Sequence, residues 1–169
     1  MAQISTMKSL TESIGTEAVR IRPAVKADLP ELIKIDEEVS GLAKRQYWKD
    51  LFSRGREHFQ SPRFLLVAED ENQIQGFILG EIRAWEFGEP RCGWVFAIQV
   101  RPRTRLQGIG TQLFGALCIA FRRAGITRVR TIMARDNHLV LSFFRSQGMM
   151  AGPFIELEMA LTKRCRERS

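Results

Sequence analysis

The sequence predicts a mixed α/β fold on three observations. Strand-like segments in the first hundred residues turn back on one another, as antiparallel strands do. A strand–helix–strand crossover follows them, which argues for a mixed sheet. The chain has 169 residues, enough for one domain with a real core, and its 44% hydrophobic content is that of a globular protein rather than a disordered one.

The elements follow in order. Val19-Arg-Ile-Arg-Pro reads as a short strand. Ala27-Asp-Leu-Pro-Glu starts a helix with Asp28 as N-cap and Pro30 in the first turn, where a missing N–H is harmless. Leu29, Leu32, Ile33 and Val39 form its apolar stripe, and Tyr47, Trp48, Leu51 and Phe52 repeat that spacing in a second helix. Phe64-Leu-Leu-Val-Ala is a strand that turns near Asp70-Glu-Asn into another, Ile74 to Trp85. The turn Glu86 to Arg91 leads back into Gly93-Trp-Val-Phe-Ala-Ile-Gln-Val100. That run is nearly all apolar, as expected of a central strand covered on both faces. A helix from Gly108 to Ala124 carries Ile109, Leu113, Leu117 and Phe121 on one stripe and ends at Gly125. Arg128 to Met133 is a further strand, and Leu139 to Gln147 a helix stopped by Gly148. Phe154 to Leu161 alternates as a closing strand. Residues 1–16 read as a flexible leader, 17–162 as one domain and 163–169 as a basic tail.

Several classes are set aside. No apolar run approaches the roughly 18–20 residues that cross a bilayer. The polar stretch Met1–Gly15 does not suit a signal peptide, so the cytoplasm is expected. Cys92, Cys118 and Cys165 have no metal-ligand spacing, and His58 and His138 lie far apart, so no metal is expected. Cys92 and Cys118 read as small core residues. The net charge of +7 concentrates in Arg101/Arg103/Arg105, Arg122/Arg123, Arg128/Arg130 and the tail. With no helix-turn-helix, aromatic RNA-binding pattern or zinc module, nucleic acid is not the expected partner. Most of these charges read as solvated surface. The first cluster differs because it leads into a glycine turn.

A buried strand ending at Val100, an arginine-rich turn and Gly108-Ile-Gly110 opening a helix make an anion-binding arrangement. Glycine lets backbone approach a ligand closely, and first-turn N–H groups have no acceptor within the helix. The helix dipole adds about 0.3–1 kcal/mol per well-placed negative charge, and Arg105 adds a full one. A pyrophosphate fits that description. A P-loop is excluded, because Gly115-Ala116-Leu117 stands where Gly-Lys-Ser/Thr is required. A dinucleotide fingerprint is excluded because Leu113 replaces its third glycine.

Arg105-Leu-Gln-Gly108-Ile-Gly110 resembles the Arg/Gln-x-x-Gly-x-Gly/Ala motif of the GNAT superfamily of acyl-CoA-dependent N-acyltransferases. Asn137-His-Leu-Val140-Leu-Ser-Phe143-Phe144-Arg-Ser-Gln-Gly148-Met149 resembles that family's second motif, at the right separation, and the match covers about residues 19–160. The resemblance implies a mostly antiparallel central sheet whose parallel fourth and fifth strands splay apart, with about four helices and acyl-CoA in the wedge. The backbone of Ile98, Gln99 and Val100 would pair with the pantetheine arm like an added strand. The amides of Arg105, Leu106, Gln107, Gly108, Ile109, Gly110 and Thr111 would surround the pyrophosphate. Asn137 would bond the pantetheine region, with Phe143 and Phe144 lining the channel.

The resemblance also implies the chemistry, in which a neutral amine attacks the thioester of acetyl-CoA directly and the Val100 N–H serves the oxyanion. The family's usual tyrosine acid is Phe144 here, and the lone Tyr47, in an early helix, reads as packing. Ile132 and Trp94/Val95 stand where glutamate bases are common, which leaves Glu81, acting through water, as the candidate base. The acceptor is a primary amine of a small molecule or protein. Asp36, Glu37 and Glu38, near where the family binds acceptors, favour a cationic one. No membrane partner is expected, and a homodimer is open. The alternative function is a non-catalytic acyl-CoA sensor or interaction module.

Overall fold

The computed structural model describes residues 19–53, 62–71, 73–84 and 88–160. The leader 1–16 and the tail 163–169 lie outside the described residues, as do His58, Trp85 and Cys165. The chain forms two compact units that divide between Ile132 and Met133.

The first unit is built on a five-stranded sheet in sequence order: β1 (Arg20–Pro23), β2 (Arg63–Asp70), β3 (Gln73–Arg83), β4 (Cys92–Val100) and β5 (Val129–Thr131). The first four are antiparallel neighbours, and β5 joins β4 in parallel. Helices α1 (Leu29–Ser40), α2 (Arg45–Ser53) and α3 (Ile109–Arg123) belong to this unit, and α4 (His138–Ser146) to the second. This is the mixed, mostly antiparallel sheet with four helices that the sequence predicts.

Each face of the sheet has its own core. Leu32 and Ile35 of α1 and Trp48 of α2 pack with Val67, Ile74 and Phe77. Gly80 lies three residues from Phe77, so alternation turns it to the opposite face, and there Leu117 and Phe121 of α3 meet the sheet. The predicted stripe of Ile109, Leu113, Leu117 and Phe121 is buried in full. Each such side chain contributes about 1.5–3 kcal/mol of burial, which is what holds α3 to the sheet. Gly125 at φ +77° ends the helix, and the Ile126 N–H returns to the Phe121 carbonyl at 3.0 Å. Asp28 stands at the α1 N-cap position with Pro30 beside it, but its carboxylate does not cap. It accepts instead from Arg22 and the Val25 N–H. Cys92 is buried and Cys118 half-buried, both as free thiols. Among the described residues no helix is long and apolar enough to cross a membrane.

Two expectations are corrected. The first is that β4 is not covered along its whole length. Cys92–Val95 are buried, but Phe96 is 45% exposed and residues 97–100 are half-buried. The cause is a bulge: Val95 and Ala97 face the successive β3 residues Gly80 and Leu79, which leaves Phe96 as the extra residue. The second is that residues 154–160 form no strand. Ile155, Leu157 and Met159 alternate as predicted, yet they are 83%, 87% and 71% exposed and pair with no strand among the described residues. Alternation prepares a strand; only a paired neighbour makes one.

Candidate functional site

The pairing of β4 with β5 stops at Val95↔Thr131, one residue before the bulge, and the Thr131 hydroxyl donates to the Val95 carbonyl at 3.0 Å. Beyond that point β4 has no partner on this side among the described residues. The Arg101 N–H donates to the Gln75 carbonyl, so alternation directs the backbone of Gln99 toward β3 and that of Ile98 and Val100 toward the open side. A Cβ built on Gly76 of β3 would lie 2.6 Å from the Gln99 carbonyl oxygen, which places that group against β3. The open edge therefore offers the N–H and C=O groups of Ile98 and Val100. The Val100 carbonyl receives Arg105 Nε at 3.4 Å. An extended ligand could add to this edge as a strand does.

The turn follows at once. A 3₁₀ turn over Pro102–Thr104 leads to Arg105 in extended conformation. Leu106, fully exposed, has φ +71°, and Gly108 has φ +77° at the N-cap of α3. A left-handed leucine stores about 1–3 kcal/mol of strain, a cost typical of ligand clamps. Two left-handed residues separated by one make the kind of turn whose successive amides gather around an anion. A Cβ on Gly108 meets nothing within 4 Å, so the glycine answers to backbone conformation and ligand approach, not to packing. Gln107 and Thr111 are exposed, while Ile109 is 1% exposed and anchors the helix start.

The arginines of the turn have separate tasks. Arg101 is 4% exposed and is committed to α1: it donates to Glu31 and Glu38 at 2.5 Å each, and to the Ile74 carbonyl at 3.0 Å. Arg103 and Arg105 are exposed. Asp36, 2% exposed, makes the second tie between α1 and β4. Its carboxylate accepts from Trp48 Nε1 at 2.8 Å, Gln99 Nε2 at 2.9 Å and Lys44 Nζ at 3.0 Å. Burial works against charge on Asp36, but these three donors outweigh it and hold the carboxyl below its ordinary range. Two of the three acids expected to attract a cationic acceptor are thus engaged within the protein; only Glu37 remains as an exposed carboxylate without such a tie.

Glu81 lies on β3 opposite Trp94. Its Oε2 accepts from Arg63 Nε at 2.6 Å, and its Oε1 faces Arg83 Nε at 3.6 Å. Both carboxylate oxygens of Glu81 thus face guanidiniums. Tyr47 is half-exposed and stacks edge-on against Trp48 at 5.5 Å, as the packing reading expects. Burial pushes its phenol above the ordinary range; Arg63 opposes this, and Asp36 and Glu81 reinforce it. Ile132 is 60% exposed.

In the second unit, Asn137 caps α4 by accepting the Val140 N–H at 3.2 Å. Phe144 is buried and meets Phe143 edge-on at 5.1 Å. Gly148 at φ +84° ends the helix. Sequence reading missed Phe96, the extra residue of the β4 bulge, and gave Arg101 and Asp36 no part in tying that strand to α1. An apolar run gives no sign of a bulge, and the partners of Arg101 lie far back in the chain.

Residues 29–149 match the Acetyltransferase (GNAT) family, and the chain belongs to it. A mycothiol acetyltransferase of Renibacterium salmoninarum is 27% identical over 90 residues; the matched region covers 53% of this chain and 27% of that protein. The fold is also that of an aminoglycoside 6'-N-acetyltransferase, AAC(6')-IG from Acinetobacter haemolyticus. That structure has a TM-score of 0.70 and 18% identity, with 85% of this chain and 99% of the other covered. AAC(6')-Iy, solved with the bisubstrate analogue CoA-S-monomethyl-acetylneamine, has a TM-score of 0.72 and 16% identity, with 85% and 98% covered. These structural likenesses show the fold.

Proposed function

We propose that the chain transfers an acetyl group from acetyl-CoA to a primary amine of a small molecule. The observation that carries this is one continuous backbone track. The unpaired edge at Ile98 and Val100 runs directly into the Gly108 turn and the first amides of α3. The track suits a ligand with an amide-bearing arm and a pyrophosphate, and acyl-CoA has both. The neighbour that holds a CoA bisubstrate analogue supports the donor. The mycothiol and aminoglycoside acetyltransferases support small-molecule acetyl transfer.

In the reaction, the amine nitrogen bonds to the thioester carbonyl carbon, the C–S bond breaks, and the nitrogen's proton ends on the departing sulfur. The products are an amide and the free CoA thiol. The Val100 N–H, on the open edge, is the donor for the oxyanion, and such donors are commonly the largest catalytic contribution. A lysine-type amine with an ordinary pKa of about 10.4 must lose a proton first. Glu81, held by two guanidiniums, is poorly placed to take it directly. Solvent reaching the half-exposed part of β4 is the simpler route.

The test pairs binding with turnover. Acetyl-CoA at about one hundred times its Kd should stabilise the fold by about 2.7 kcal/mol, a rise of roughly 5–10 °C in Tm. Gly108→Glu should abolish that rise. Gly108→Ala, which shares the left-handed strain without the charge, should keep it. Thiol release with an amine panel should then show transfer. Tight acetyl-CoA binding without thiol release from any amine would support the sensor reading.

A further inference from the structure

We propose that Arg101 is a positioning residue for acyl-CoA. Clamped by Glu31 and Glu38 of α1, it holds the glycine turn in the shape that receives the pyrophosphate, without touching the ligand itself. The proposal rests on the acetyl-transfer reading above and makes the affinity for the donor depend on carboxylates of another helix.

The turn stands on two buried feet. Between Arg101 and Ile109 every residue is exposed except the half-buried Thr104. Ile109, 1% exposed, is held in the apolar core under α3. Arg101, 4% exposed, is held by polar bonds instead. Its N–H donates to the Gln75 carbonyl at 2.8 Å, and its own carbonyl accepts the Thr104 N–H at 3.0 Å and the Thr104 hydroxyl at 3.2 Å. Those two bonds from Thr104 form the 3₁₀ turn over Pro102–Thr104, which sets the direction in which Arg105 and Leu106 leave.

The side chain fixes that foot to α1. Arg101 Nη1 donates to Glu38 and Nη2 to Glu31, at 2.5 Å each, and Nε donates to the Ile74 carbonyl at 3.0 Å. Glu31 and Glu38 are two turns apart on α1, so they lie on one side of the helix and close on the guanidinium from both directions. Each guanidinium nitrogen has an acceptor on α1 or β3, and Arg101 serves the turn through its backbone. An apolar residue would fill the same place at a lower desolvation cost, but without direction. A planar fork bonded to two carboxylates and a carbonyl sets both position and angle.

Charge alone predicts the opposite of this role. Glu31 and Glu38 are negative groups near a turn that takes an anion. Acting only through their field, they would oppose the ligand, and neutralising them would tighten its binding. As a clamp they favour it, and neutralising them loosens Arg101 and weakens binding. The sign of the change separates the two roles.

Calorimetric titration of CoA into the native protein and into Glu31→Gln/Glu38→Gln reads that sign. Glutamine keeps the volume of both side chains, which are 46% and 35% exposed, so the packing under α1 stays in place. The double variant should bind CoA more weakly by about tenfold or more, since small misplacements of a binding group are costly. Each single variant should fall between the double variant and the native protein. Asp36→Asn, which weakens the other tie between α1 and β4, should leave CoA affinity within about threefold, because the two ties share no partner. Arg101→Lys should recover part of the affinity lost in Arg101→Met. In turnover, the double variant should raise the KM for acetyl-CoA more than that for the amine. Native or tighter CoA binding by the double variant, or an equal loss in Asp36→Asn, would overturn the proposal. Absence of CoA binding by the native protein would instead overturn the transfer reading. The amide resonances of Leu106, Gly108 and Gly110 in the unliganded protein then decide the clamp: they should move in the double variant and hold in Asp36→Asn, and resonances unmoved in both would overturn it.

Discussion

Single residues set the spacing on which the candidate site depends. A Cβ on Gly93 would lie 2.5 Å from the Phe121 ring, and one on Gly80 2.8 Å from it. Phe121 is 1% exposed and stacks edge-on against Phe64 at 5.4 Å, so it has little room to retreat. Gly93→Ala should therefore cost about 1–3 kcal/mol through overpacking. In a second background, Phe121→Leu, the same change should cost much less, because the crowding ring is gone. Thermal unfolding of the four proteins measures this directly. An equal loss in both backgrounds would mean that the glycine serves backbone conformation rather than the ring. Neither glycine was legible as a packing residue in the sequence, because the atoms that crowd it belong to a helix far along the chain.

At the scale of elements, α1 is held to β4 and the residue after it by two part-buried polar ties, Arg101 to Glu31 and Glu38, and Asp36 to Gln99. They anchor the half of β4 that lies beyond its last pair with β5. The tie at Asp36 depends on charge. Its folded-state pKa lies below the ordinary carboxylate value, so its stabilisation is present above that value and is lost as pH falls through the folded one. Asp36→Asn should be less stable than the native protein at pH 7, by less than the about 3–5 kcal/mol of a fully buried pair, because the partner Lys44 is 43% exposed. The gap should close as pH drops below about 4. Urea unfolding across pH checks it, and a gap that stays constant would show that the carboxylate's charge is not involved. Strands and helices with a clear period were legible: the stripe of α3, the turn at Gly125 and the glycine start of α3 all follow from local pattern. The bulge at Phe96 and the absence of a strand over residues 154–160 do not, since both depend on what a strand finds beside it. Arg101 looked like part of the turn's positive cluster, and only the fold brings the α1 carboxylates to it.

For the whole molecule, the net charge of +7 has a physical use in this reading. A polyphosphate donor is an anion, and a positive field raises its encounter rate. Family membership fixes the fold, but one fold supports many acceptors. The central claim is that acyl-CoA lies along the free edge of β4 and ends on the Gly108 turn. Residue-resolved amide hydrogen exchange, with and without saturating acetyl-CoA, tests it most directly. The amides of Ile98, Val100, Ile109 and Gly110 should slow markedly on binding, while that of Gly93, already donating to the Arg128 carbonyl, should change little. Binding of acetyl-CoA that leaves those four amides exchanging at their free rates would contradict it.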